Sequence, residues 1–168
     1  MRILVIDQAT INTSYNIIDV TDNKPTWLCA SVIAIRKGNT AERMAELRDR
    51  LQELIEEYEI TDLVVEDLQY SRKVNISVTV VLCKLLGVME LLAVDNNLTI
   101  HIMNIIKWKS SCGIKSKTRD EQKRESIALA LKRFPAYSDI IFKSDDVADA
   151  LNMGPSYRDW ETDRKSVV

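Results

Sequence analysis

The sequence predicts a mixed α/β fold: a five-stranded sheet, built from a three-strand antiparallel meander plus two parallel strands, flanked by helices. Two observations carry that expectation. Three apolar runs follow one another near the start with only polar turns between them, and later runs alternate with segments of helical periodicity. The first pattern leaves no room for crossovers, so neighbouring strands must be antiparallel; the second is the pattern of βαβ units.

The run RILVID is a core strand that ends in Asp7, with its carboxylate at the C-terminal tip. SYNIIDV is the second strand. Asp22, Asn23, Lys24 and Pro25 then give a turn signal before the third, TWLCASVIAI. Helical signals start at Asn39, where Glu42 completes a capping box. Met44, Leu47, Leu51, Leu54 and Tyr58 recur at helical spacing, with Glu and Arg on the other face. ITDLVVED is the fourth strand, ending in Glu66 and Asp67. Residues 75–95 form a helix apolar nearly all round, which implies burial on two sides. LTIHIM is the fifth strand, followed by a lysine-rich loop. Arg119 to Arg133 is an amphipathic helix, and Ser144 caps a last helical turn in DDVADALNM. YRDWETDRKSVV is polar, aperiodic and preceded by Gly154 and Pro155. The domain is therefore drawn over 1–154, and 155–168 is read as a tail, disordered or a sequencing artefact.

Composition narrows the function classes. A chain of 168 residues suits one domain with a core of its own. With 46 % apolar and 29 % charged residues it is globular rather than disordered or fibrous. Cys29, Cys83 and Cys112 are scattered and His101 is the single histidine, which excludes a zinc centre or disulfide framework. Unpaired cysteines without a signal peptide point to a reducing cytoplasm, bacterial or of a virus-infected host. Lys84 and Glu90 interrupt the most apolar stretch, so it is read as a core helix and no membrane partner is expected.

Position singles out four acids. Asp7 and Glu66 end strands, while Asp146 and Asp149 stand three apart on one helix and share a side. Hard divalent cations take oxygen ligands, and two such ions can clamp the attacking and leaving oxygens of a phosphoryl displacement. Singly, each acid has an ordinary reading as a turn or helix-start residue. Asp145 and Asp149 are also helix neighbours, so geometry alone leaves Asp145 and Asp146 tied.

In order along the chain these motifs resemble the RuvC-type Holliday junction resolvases of the RNase H-like superfamily. RILVIDQATINTSYNIID resembles their opening strand, turn and second strand; VVEDL resembles their second motif; DVADAL resembles their close. The likeness spans about residues 1 to 153. It implies an RNase H-like nuclease fold and assigns Asp7, Glu66, Asp146 and Asp149 as the catalytic, metal-binding tetrad. It also implies Mg²⁺ or Mn²⁺, two per site, a four-way-junction substrate, and a homodimer through the helix at 75–95. The chain departs from the family in carrying Gln8 and Ala9 where Pro-Gly is usual, and Gln69 beside Tyr70 where an aromatic residue follows the Glu. It is thus similar to a divergent viral or remote member.

Net charge is only −2, so a DNA surface must be local. Between 107 and 133 nine basic residues face three acids. Lys107, Lys109, Lys115 and Lys117, read as lying in a loop, are the expected phosphate contacts, with Tyr70, Arg72 and Lys73 as a second set. A branched-DNA-binding protein that does not cut is the alternative, disfavoured by the complete tetrad. An ATP-binding relative of the actin-like fold would need Gly-rich phosphate turns, which four scattered glycines do not supply.

Overall fold

The computed structural model describes residues 1–68 and 75–165, with side chains as far as Tyr157. Its strands are β1 (Arg2–Asp7), β2 (Asn12–Thr21), β3 (Lys24–Ala34), β4 (Asp62–Glu66) and β5 (Thr99–Met103). They form one sheet in the order β3-β2-β1-β4-β5, the first three antiparallel and β1, β4 and β5 parallel. Asp22 and Asn23 make the β2–β3 turn with φ of 52° and 60°, the two left-handed residues that a tight hairpin requires. The register sets Ile6 opposite Val65, so the next residues, Asp7 and Glu66, end adjacent parallel strands.

One face of the sheet is covered by α1 (Thr40–Tyr58) and α2 (Ile76–Asp95). Asn39 caps α1, accepting from the Ala41 and Glu42 amides while the Glu42 carboxylate accepts from Asn39 N–H at 2.7 Å. The other face holds α3 (Ile105–Ser111), α4 (Arg119–Arg133), α5 (Ser138–Lys143) and α6 (Asp145–Lys165). Ile3, Val5, Ile18 and Val64 pack there against Met153 and Tyr157 of α6.

Three expectations change. Lys107 and Lys109 lie on α3 rather than in a loop, where Asn104 caps the helix through the Ile106 and Lys107 amides. Helix α6 does not stop at Gly154 but runs through Pro155 to Lys165. A mid-helix proline forfeits a hydrogen bond at about 3 kcal/mol, and burial of Met153 and Tyr157 against the sheet offsets it. A boundary at 154 would cut this helix. Finally, α2 is buried on one side only. Leu85, Met89, Leu92 and Ala93 enter the core, whereas Ile76, Val78, Val80, Leu91 and Val94 are exposed. By length and apolarity α2 could cross a membrane.

Helix α6 is seated on the sheet at several points. Asn16 of β2 donates its side-chain amide to Ala150 O at 2.7 Å. A Cβ on Gly154 would come within 2.4 Å of Ile18 Cδ1, so the helix approaches β2 as closely as a bare backbone allows. At the far end the Tyr157 hydroxyl lies 2.9 Å from His101 Nε2, which is 3.0 Å from Asp62 Oδ1.

Candidate active site

Side chains alternate along a strand, so Asp7 shares a face with Ile3 and Val5, and Glu66 shares it with Val64. That is the face on which α6 lies. The first turns of α6 stand over the C-terminal ends of β1 and β4, where parallel sheets characteristically place their ligand sites. The result is a cavity of about 340 Å³ lined by Asp7, Glu66, Asp146 and Asp149, with Lys109, Arg119 and Lys123 among its walls.

The neighbouring acid is disposed differently. Asp145 is bound to Lys123 Nζ and does not line the cavity, whereas Asp146 Oδ1 stands 3.8 Å from the same ammonium. The hydrogen bond from Lys123 holds the Asp145 carboxyl below its ordinary range. Val147, Ala150 and Leu151 are fully buried, which turns Asp146 and Asp149 along the cavity edge.

Crowding dominates the electrostatics. Burial, then Glu66, Asp149 and Asp146, raise Asp7 well above the usual carboxylate range, against a smaller opposing pull from Lys109. Burial pushes Glu66 up to about 6, opposed by a hydrogen bond from Trp108 and by Lys109. Asp146 is raised by burial, then by Asp145 and Asp149.

This self-repulsion is what a divalent cation would relieve. Among the described residues no three carboxylate, thiol or imidazole groups converge tightly enough to ligate one ion as they stand. The cavity nonetheless has room for hydrated ions, and Mg²⁺ commonly keeps several waters while using one or two carboxylates and substrate phosphate. An all-oxygen donor set without His or Cys fits Mg²⁺ or Mn²⁺.

Buried groups orient two of the acids. Trp108, 1 % exposed, donates its indole N–H to Glu66 Oε1 at 2.9 Å, and Gln8 Nε2 donates to Glu66 O at 3.0 Å. Ser126 donates its hydroxyl to Asp149 Oδ1.

The basic residues divide. Lys109 lies 3.5 Å from Asp149 Oδ2 with its ammonium 5.2 Å from the centre of the Trp108 ring, so it is a wall of the cavity. Lys107 is exposed on α3 outside the cavity, and Lys115 and Lys117 are exposed in the loop before α4. Tyr70, Arg72 and Lys73 lie outside the described residues. Sequence reasoning does not single out Arg119 and Lys123 as cavity residues. Their four-residue spacing at the start of α4 is the available signal, since it sets both on one side. Trp108, Ser126 and Asn152 give none.

The family model described as crossover junction endodeoxyribonuclease RuvC matches residues 3–154. A crossover junction endodeoxyribonuclease RuvC from Heliobacterium modesticaldum is 29 % identical over 154 residues, 90 % of either chain. Among solved structures, T. thermophilus RuvC in complex with Holliday junction substrate superposes with a TM-score of 0.69 at 15 % identity, covering 93 % of this chain and 92 % of that one. The Fowlpox virus resolvase, in complex with Holliday junction DNA, gives 0.67 at 18 % identity over 95 % and 97 %. At such identities the superpositions speak to the fold, a mixed sheet of RNase H-like resolvase type. The match to the family model spans nearly the whole chain, and on that ground this protein belongs to the crossover junction endodeoxyribonuclease RuvC family.

Proposed function

We propose that this chain is a homodimeric, divalent-metal-dependent endonuclease that hydrolyses phosphodiesters at four-way DNA junctions. The observation that carries the reading is one cavity lined by Asp7, Glu66, Asp146 and Asp149 with Lys109, Arg119 and Lys123 in its walls. Acids alone would repel a phosphodiester; cations beside them bind its oxygens and orient it. Asp7, Glu66, Asp146 and Asp149 would hold Mg²⁺ or Mn²⁺, two per site. Bound there, the ions supply an activated water and charge stabilisation for in-line displacement. Trp108 fixes the Glu66 carboxylate so that its other oxygen remains free for the cavity. Lys107, Lys115 and Lys117 contact phosphates along the junction arms, and Tyr70, Arg72 and Lys73 are a second set of DNA contacts.

The dimer is proposed through α2, whose exposed Ile76, Val80, Leu91 and Val94 form an apolar face on the side away from the core. Two copies facing each other would nick opposing strands of one junction. The deciding experiment incubates the purified protein with four-way, forked and linear duplex DNA, with and without Mg²⁺ or Mn²⁺. Metal-dependent nicking of the four-way junction, with little of the linear duplex, is the expected result. Binding without cleavage would instead assign a branched-DNA-binding protein.

A further inference from the structure

Helices α4 and α6 are joined behind Asp149 by a buried relay. Ser126 on α4 is 1 % exposed and Asn152 on α6 is fully buried. Asn152 Nδ2 donates to Ser126 O at 2.9 Å and to Ser126 Oγ at 3.0 Å. The Ser126 hydroxyl bonds Asp149 Oδ1.

The chemistry of the groups fixes the direction of every proton. A carbonyl oxygen only accepts, so the Asn152 edge that faces Ser126 O must be its NH₂. The same NH₂ gives its second hydrogen to Ser126 Oγ. That oxygen, already accepting, turns its own proton outward to the acceptor in front of it, the Asp149 carboxylate. This orientation leaves Asn152 Oδ1 buried without a hydrogen-bond partner. A side chain that only filled space at this place would need no such unpaired oxygen. The other carboxylate oxygen, Asp149 Oδ2, stands towards the cavity 3.5 Å from Lys109 Nζ.

We propose that Ser126 and Asn152 are positioning residues for Asp149. They hold Oδ1 in a hydrogen bond of fixed polarity, so that Oδ2 is the oxygen presented to a divalent cation. The inference rests on the metal-dependent reading above. It concerns an interaction behind the ligand, of the kind that orients ligands and tunes their affinity in metal sites.

The test measures Mn²⁺ binding to the full chain by the electron paramagnetic resonance signal of the free ion. Wild type is compared with Ser126→Ala, Ser126→Thr, Asn152→Ala and Asp149→Asn, each first checked for folding by circular dichroism. Ser126→Ala and Asn152→Ala should weaken Mn²⁺ binding about tenfold or more. Ser126→Thr, which keeps the hydroxyl, should restore wild-type affinity. Asp149→Asn sets the floor. The concentration of Mn²⁺ giving half-maximal junction cleavage should move in the same order. If Ser126→Ala does not fold, Asn152→Ala against Ser126→Thr decides in its place. Wild-type affinity in a folded Ser126→Ala or Asn152→Ala protein overturns the relay alone. Wild-type protein that binds no Mn²⁺ takes down the metal reading and the relay with it.

Discussion

Asp7 and Glu66 sit at adjacent strand ends because β1 and β4 are parallel neighbours in register, and each reaches the cavity on the face that α6 covers. Such acids contribute charge that only a cation balances. Asp7→Asn, Glu66→Gln, Asp146→Asn and Asp149→Asn should each lower junction cleavage by roughly a thousandfold, the several kcal/mol that one metal interaction is worth, while junction binding by gel shift survives. Asp145→Asn should cleave near the wild-type rate, since that carboxylate pairs with Lys123 and does not itself line the cavity. An inactive Asp145→Asn beside an active Asp146→Asn would reverse the assignment. Proton linkage gives a second test. Burial raises Glu66 from 4.5 to about 6, so in metal-free protein its contribution to stability is complete below pH 4.5 and lost as pH rises through 6. The melting temperature in chelator should therefore fall over that window, by the equivalent of about 2 kcal/mol from this group, and Mn²⁺ should restore it above pH 6. A flat profile in chelator would show that Glu66 is not held in this state. At this scale the sequence is only partly readable. The four acids stand out through strand ends and helix spacing, but Trp108 meets Glu66 across 42 positions and Ser126 meets Asp149 across 23. No local pattern encodes such partners.

Among the elements, the strands are legible because short apolar runs, buried on both faces in β1 and β4, end at turn residues, as Asp22 and Asn23 show. Helix α1 is legible through its cap and stripe of Met44, Leu47 and Leu51. Helix α3 is not: at seven residues, with one buried Trp among lysines and serines, it has no period to detect. The end of α6 misleads for a different reason. Gly154 and Pro155 are stop signals locally, yet the Gly lets the helix lie against Ile18 and the buried Tyr157 holds the turn beyond the Pro. The expectation for α2 is met on one side within this chain, where Leu85, Met89, Leu92 and Ala93 enter the core, while Ile76, Val80, Leu91 and Val94 stay exposed. Val80 points outward and Val81 packs against the core. Val80→Glu should give monomers in sedimentation with nearly unchanged melting, and Val81→Glu should lower the melting temperature instead. A wild-type protein that sediments as a monomer at micromolar concentration would sink the α2 interface.

For the molecule as a whole, a net charge of −2 conceals a basic stretch beside an acidic cavity. Lys115 and Lys117 are exposed before α4, so Lys115→Glu with Lys117→Glu should weaken junction binding. The slope of log affinity against log salt should flatten by ~0.9 for each phosphate that the protein no longer neutralises. An unchanged slope would show that these lysines merely solvate their loop. The seating of α6 has one more consequence, which concerns synthesis. Asp7 and Glu66 are translated early, Asp146 and Asp149 only with α6. Until that helix emerges, the sheet face of Ile3, Val5, Ile18 and Val64 lacks the α6 side chains that cover it, and the cavity lacks half its acids. A chain that breaks off before α6 is therefore left with two of the four acids and a sheet face without the Met153 and Tyr157 that pack on it.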